Sequence, residues 1–156
     1  MTDSAYAAAL APFLAEVEQM RPAGAEIIDA HTHLGLDEDG RSLTLDQLLG
    51  QLDAAGARRA CVFPLHDPER APAYRLPNDR VLGWAAASEG RLVPFCRLDP
   101  AEEPQAECER ALAAGARGIK LHPRAQDFVF DGPEMNDVFG LAEEAGVPLL
   151  IHAGRG

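Results

Sequence analysis

The sequence predicts an α/β fold of the (β/α)8 TIM-barrel type, with about the first five β/α units present. Three observations predict it. Short apolar runs that read as strands recur about every 30 residues, with glycine-terminated amphipathic segments between them. Loops from helix to strand are short, whereas those from strand to helix, Leu34 to Leu43, Leu65 to Leu76 and Pro123 to Gly132, are long and rich in charge, Pro and Gly. All five histidines, His31, His33, His66, His122 and His152, fall at or just past the C-terminal ends of predicted strands, where barrel enzymes keep their chemistry.

Residues 1–25 form an N-terminal helical segment and 26–156 the partial barrel domain. Within the first, helical apolar spacing runs through Ala7, Leu10, Phe13 and Leu14. The predicted strands are Glu26 to Ala30, Arg59 to Pro64, Leu92 to Arg97, Gly118 to Leu121 and Val147 to His152. Their near-continuous apolar character suits parallel strands covered on both faces. Between the first two, a capping-box pair, Thr44 and Gln47, opens a helix carrying Leu45, Leu48, Leu49 and Leu52, and Gly56 ends it. Helices follow over Asn78 to Glu89, Gln105 to Ala114 and Pro133 to Ala145, each stopped by a glycine. The pentad Ala54 to Arg58 recurs as Ala113 to Arg117, the same helix-to-strand turn used twice.

At 156 residues and 47% apolar content the chain can bury one real core. No stretch approaches the ~20 apolar residues of a membrane span, and the N-terminus lacks the pattern of a secretory signal, so a cytoplasmic protein without membrane contact is expected. The three cysteines, Cys61, Cys96 and Cys108, show no C-x-x-C spacing and do not suggest a disulfide framework. Twenty-five acidic against 14 basic residues leave a net charge of −11, which opposes nucleic acid as a partner. A small-molecule substrate is expected instead.

The chemistry concentrates first in Ile27-Ile28-Asp29-Ala30-His31-Thr32-His33. In an extended strand alternate side chains share a face, so Asp29, His31 and His33 are expected on one side, the imidazoles roughly 6 to 7 Å apart along the strand. One metal ion can bridge such a pair. His152, ending the fifth strand, offers a third nitrogen, and three protein ligands with an open position are the pattern of a catalytic zinc site. Asp29 is placed to orient an imidazole or to make a structural hydrogen bond. Lys120, the only lysine, alternates with His122 in Gly118-Ile119-Lys120-Leu121-His122-Pro123, so both face one way while Ile119 and Leu121 face the helices. A lysine inside a barrel needs a partner: a substrate carboxylate, a metal-bound water, a carboxylated amine between two metals, or an acid in a structural ion pair. Lys120 and His122 are the candidate catalytic residues. His66, Arg97 and Arg124, just past strand ends, are candidates for substrate binding, with Asp99 beside them.

With Ile28-Asp29-Ala30-His31-Thr32-His33-Leu34-Gly35, Gly118-Ile119-Lys120-Leu121-His122-Pro123 and Pro148-Leu149-Leu150-Ile151-His152-Ala153-Gly154, the chain resembles the amidohydrolase superfamily. The likeness is to its amidohydrolase-related branch of metal-dependent TIM-barrel hydrolases and decarboxylases. The resemblance implies a divalent metal, zinc first among candidates, held by His31, His33 and His152, with metal-activated water attacking a carbonyl, amide-type or ester bond. Non-oxidative decarboxylation of a carboxylated aromatic or related acid is the alternative. Members of the family also supply a histidine from the sixth strand and an aspartate from the eighth, which the 156 residues do not contain. The expectation is therefore a truncated barrel, and a third reading is an inactive half-barrel that needs a partner chain or a second copy to complete it.

Overall fold

A computed structural model describes residues 3–154 of the chain. In order, the elements are α1 (Asp3–Met20), β1 (Ile27–Leu36), β2 (Ser42–Leu43), α2 (Leu45–Ala54), β3 (Ala57–Pro64), α3 (Arg75–Ala87), β4 (Leu92–Pro94), β5 (Cys96–Arg97), α4 (Pro104–Ala113), β6 (Ile119–Leu121), α5 (Pro123–Gln126), α6 (Glu134–Ala145) and β7 (Leu149–Ile151). Strand and helix alternate as the periodicity predicts. One sheet has the order β2-β1-β3-β4 and a second β5-β6-β7. Every pairing is parallel except the β1–β2 hairpin. Apart from the β2 hairpin, the strands lie side by side in sequence order within each sheet, and every parallel crossover inside a sheet passes through helix.

The predicted strand Leu92 to Arg97 is split at Phe95. The Phe95 N–H still donates to the Val62 carbonyl of β3 (2.9 Å), whereas the next N–H, Cys96, donates to the Gly118 carbonyl at the head of β6 (3.0 Å). The ring of Phe95 lies against Gly118, where a Cβ would come within 2.5 Å of it. Only glycine leaves room for this crossing. The first strand also departs from its predicted bounds: β1 runs on through both histidines to Leu36 and turns back as β2, so the expected Leu34 to Leu43 loop is largely a hairpin.

Both sheets pack helices against one face through separate apolar clusters. Leu48 and Leu52 of α2 and Val81 and Ala85 of α3 meet Leu34, Ala60, Val62 and Leu92 of the first sheet. Cys108 and Ala111 of α4 and Met135, Val138 and Ala142 of α6 meet Cys96, Ile119 and Leu121 of the second. Losing any one of the large aliphatic side chains here would cost ~2–5 kcal/mol. The predicted capping box holds α2 at its start: the Thr44 hydroxyl accepts from the Gln47 N–H (3.3 Å) and the Gln47 carboxamide accepts from the Thr44 N–H (3.0 Å). The repeated pentad turns through Gly56 and Gly115 at φ +65° and +113°, values that glycine alone adopts freely. α1 is helical as its spacing predicts, but Phe13, Leu14, Val17 and Met20 stay exposed. Among the described residues no helix is long and apolar enough to cross a membrane.

Candidate metal and substrate site

On the face of the sheets away from the helices, at the C-terminal ends of the strands, His31, His33, His66, Arg97, His122 and His152 line one cavity of about 420 Å³. β1 supplies the first two. Its register with β3 advances three residues, Asp29 to Thr32, while β3 advances two, Ala60 to Val62. This bulge interrupts the strict alternation expected upstream of His33. Asp29 accordingly accepts a hydrogen bond from the His31 main-chain N–H (2.9 Å) and makes none with an imidazole. The two rings still converge, with His31 Nε2 and His33 Nε2 3.2 Å apart. Both lean on Phe63, whose ring centroid is 5.2 Å from His31 and 5.5 Å from His33.

Lys120, fully buried, brings its Nζ to 3.3 Å from His31 Nε2 and lies over Phe63. Burial, with Arg97 next in effect, lowers its pKa to about 8. Burial and then the Lys120 charge lower His33 to about 4 and also lower His31. His122 is lowered to about 4 by burial and then by His152, with which it stacks, centroids 3.9 Å apart and planes 9° from parallel. These imidazoles are therefore neutral near pH 7, the form in which histidine binds metal.

Arg97 is 1% exposed. Its Nε donates to the Gln126 carboxamide oxygen (3.2 Å), one terminal nitrogen lies 3.5 Å from the Pro64 carbonyl, and the other terminal nitrogen has no partner. Below it the Tyr74 ring stacks on the guanidinium at 4.9 Å. The Tyr74 hydroxyl is hydrogen-bonded to His66 Nδ1, and Glu38 faces His66 from the rim. His66, lowered by burial and then by Arg97, is neutral as well.

Seven of the eight residues singled out from sequence thus gather around one space, six as its lining and Lys120 behind His31. Arg124 does not. It lies exposed on α5 and is absent from the cavity wall, because the helical turn after His122 rotates its side chain outward and turns Gln126 inward. Gln126 was not legible in the sequence, nor were Tyr74 and Asn78. The Asn78 side chain clamps both the N–H and the carbonyl of Arg97 (2.8 and 3.0 Å) and also donates to Glu107 (2.7 Å). A polar residue at the start of a helix gives no hint of such burial.

The amidohydrolase family model matches residues 28–156. The chain belongs to this family. Members generally hold a divalent metal ion. No curated protein matches the sequence. Among solved structures, IDCase of Metarhizium anisopliae in apo form aligns with a TM-score of 0.67 at 18% identity, over 83% of this chain and 51% of that one. The probable 2-pyrone-4,6-dicarboxylic acid hydrolase of Acinetobacter baumannii, with citric acid bound, aligns with a TM-score of 0.60 at 16% identity, over 83% and 50%. At these identities the likeness concerns the fold, and the chain spans about half the length of the structures it matches.

The amidohydrolase site fits a metal ion through its β1 pair. Two nitrogens at ~2.0–2.1 Å from one tetrahedral ion lie about 3.3 Å apart, close to the 3.2 Å between His31 and His33. His152 Nε2, buried without a hydrogen-bond partner, lines the same cavity. Among the described residues no three His, Cys, Asp or Glu side chains already close around a single point.

Proposed function

We propose that this amidohydrolase chain carries the metal-binding half of a metal-dependent hydrolase site, with His31, His33 and His152 as ligands and zinc as the metal. The 3.2 Å convergence of the two β1 imidazoles, both neutral and both at the cavity, carries this reading. A bound divalent ion would lower the pKa of a coordinated water and polarise the scissile carbonyl. The remaining roles belong to the chain. His122 Nδ1 accepts from the Ala125 N–H (3.2 Å), so the neutral ring carries its proton on Nε2. That N–H serves substrate as a hydrogen-bond donor at the cavity wall. Lys120, whose Nζ lies 3.3 Å from His31 Nε2, contributes a positive charge beside the reacting group.

Non-oxidative decarboxylation is the second reading, favoured by the two buried cations Arg97 and Lys120 in the wall. Product analysis on a carboxylated aromatic separates the two reactions. We extend the proposal to assembly, with a second copy or a partner segment pairing along β7, which has β6 as its one strand neighbour among the described residues. A solution mass of the monomer alone would overturn the self-association form of this idea.

The ligand set is tested by the zinc content of His31→Ala and His152→Ala. Both variants are expected to fall to about a tenth or less of the parent's occupancy at equal free zinc, because each removes one of three ligands. Full occupancy in both, with unchanged circular dichroism, overturns it.

A further inference from the structure

Among the described residues, α1 is the one helix of more than a single turn that gives nothing to either apolar cluster. Every residue from Tyr6 to Met20 is exposed. An 18-residue helix with Pro12 in its interior is marginal in water by itself, since the proline ring removes a hydrogen bond and costs ~3 kcal/mol or more. Such a helix draws its stability from packing, and the clusters of the domain do not reach it.

Its large apolar side chains are not scattered. Tyr6, Leu10, Phe13, Val17 and Met20 follow one another at alternate steps of four and three residues, the spacing that keeps one side of a helix turned to a second helix along its whole length. Leu14 widens the stripe. These six side chains are 37% to 74% exposed. Together they present roughly 800 Å², the share that one partner contributes to a standard protein interface and more than a lone surface ordinarily leaves uncovered.

Charge decides between occupants. From Tyr6 to Met20 the only charged residues are Glu16 and Glu18, and Glu18 already pairs with Arg21. A helix that lies on a membrane carries Lys and Arg on its polar face, whereas this stretch carries neither, and a net charge of −11 repels anionic lipid. A second α1 meets no such objection. The positions flanking the stripe are Ala7, Ala9, Leu14, Glu16 and Arg21. With two stripes in full overlap, Glu16 falls beside Arg21 of the second copy in a parallel pair and beside Ala9 of it in an antiparallel one, so neither arrangement sets acid against acid.

We propose that two copies of this chain associate through α1, stripe on stripe. The surface is separate from both the β7 edge and the cavity, and the inference stands apart from the metal reading. The test is the solution mass of the full chain by sedimentation equilibrium at micromolar concentration, with zinc uptake recorded alongside. The parent is expected at twice the 16.7 kDa of one chain. Leu10→Glu with Val17→Glu brings carboxylates from both copies into the seam and is expected to weaken association at least about a hundredfold, leaving single chains with zinc uptake unchanged. Ala15→Glu, the same charge on the opposite side of α1, is expected to leave the pair intact. All three positions are exposed and outside both clusters, so the domain folds in each variant. A parent that stays monomeric, whether free or bound to phosphatidylcholine vesicles, a pair that survives the double substitution, or one that Ala15→Glu dissolves equally would each overturn the proposal. Survival in the double variant would move the contact to another surface, the β7 edge first. Absence of zinc uptake in the parent would overturn the metal reading alone.

Discussion

The sheet β2-β1-β3-β4 presents its share of the site as imidazoles at the rim, with His31 exposed and His33 half-buried, whereas β5-β6-β7 adds fully buried cations to its half-buried His122 and His152. The first sheet needs little beyond a bulged strand and the Phe63 ring to aim its donors. The second holds charges that the interior disfavours, Arg97 among Asn78, Tyr74 and Gln126 and Lys120 between His31 and Phe63. Groups that bind an ion from solution can sit on a simple scaffold at the mouth. Groups that must stay charged in the dark of the wall require neighbours that leave them no other geometry.

The largest expected effect tests whether the two sheets fold as one unit. Phe95 stands at their junction, 7% exposed and edge-on to Phe63 at 4.9 Å. Phe95→Ala is expected to lower stability by ~3–5 kcal/mol in urea unfolding while keeping a single transition. Two resolved transitions would mean that each apolar cluster is stable alone. Next comes the buried clamp: Asn78→Leu leaves the Arg97 main-chain N–H and carbonyl without their side-chain partner and Glu107 with Arg110 alone, and is expected to cost about 2 kcal/mol. It should spare zinc uptake, because the clamp touches none of the three proposed ligands, and a loss of zinc uptake would refute that independence.

Acid acts on both sheets together. His33 and His122 bind a proton less readily in the folded chain, near pH 4, than at the ordinary 6.5 of the unfolded one. Between those values the unfolded chain takes up more protons, so the histidine contribution to the stability of the metal-free protein should be level between about pH 6.5 and 8, where Lys120 in turn begins to titrate, and fall as pH drops from 6.5 towards 4. A melting temperature that rises as the pH is lowered from 6.5 to 4 would contradict the burial of these rings. The smallest effect belongs to Arg124→Ala, exposed on α5 and without an ion pair among the described residues, which should change stability by less than about 0.5 kcal/mol in the same urea unfolding and leave zinc uptake untouched.

The alternation of strand and helix, the α2 cap and the gathering of histidines at strand ends were readable because each depends on local spacing. The same-face placement of Lys120 opposite Ile119 and Leu121 was readable for that reason too. The bulge at Asp29 to Thr32 was not, since an extra residue in a ladder is decided by the partner strand. Nor was the break at Phe95, which follows from a ring meeting Gly118 from a strand two turns of chain away. Asn78 and Gln126 escaped because an amide carries no charge or periodicity, and its value arises only when a distant segment brings it two donors or acceptors. Arg124 was overvalued by proximity in sequence, since one short helical turn separates it from the cavity.

Gln126 joins three segments at once: its carboxamide oxygen accepts from the His122 main chain (2.8 Å) and from Arg97, and its nitrogen donates to the Leu98 carbonyl (2.6 Å). The four-residue α5 and the guanidinium are therefore one mechanical part. To shift α5 is to break with the guanidinium, the end of β6 and the turn after β5 in one step, so a single turn of helix is braced as firmly as a longer one.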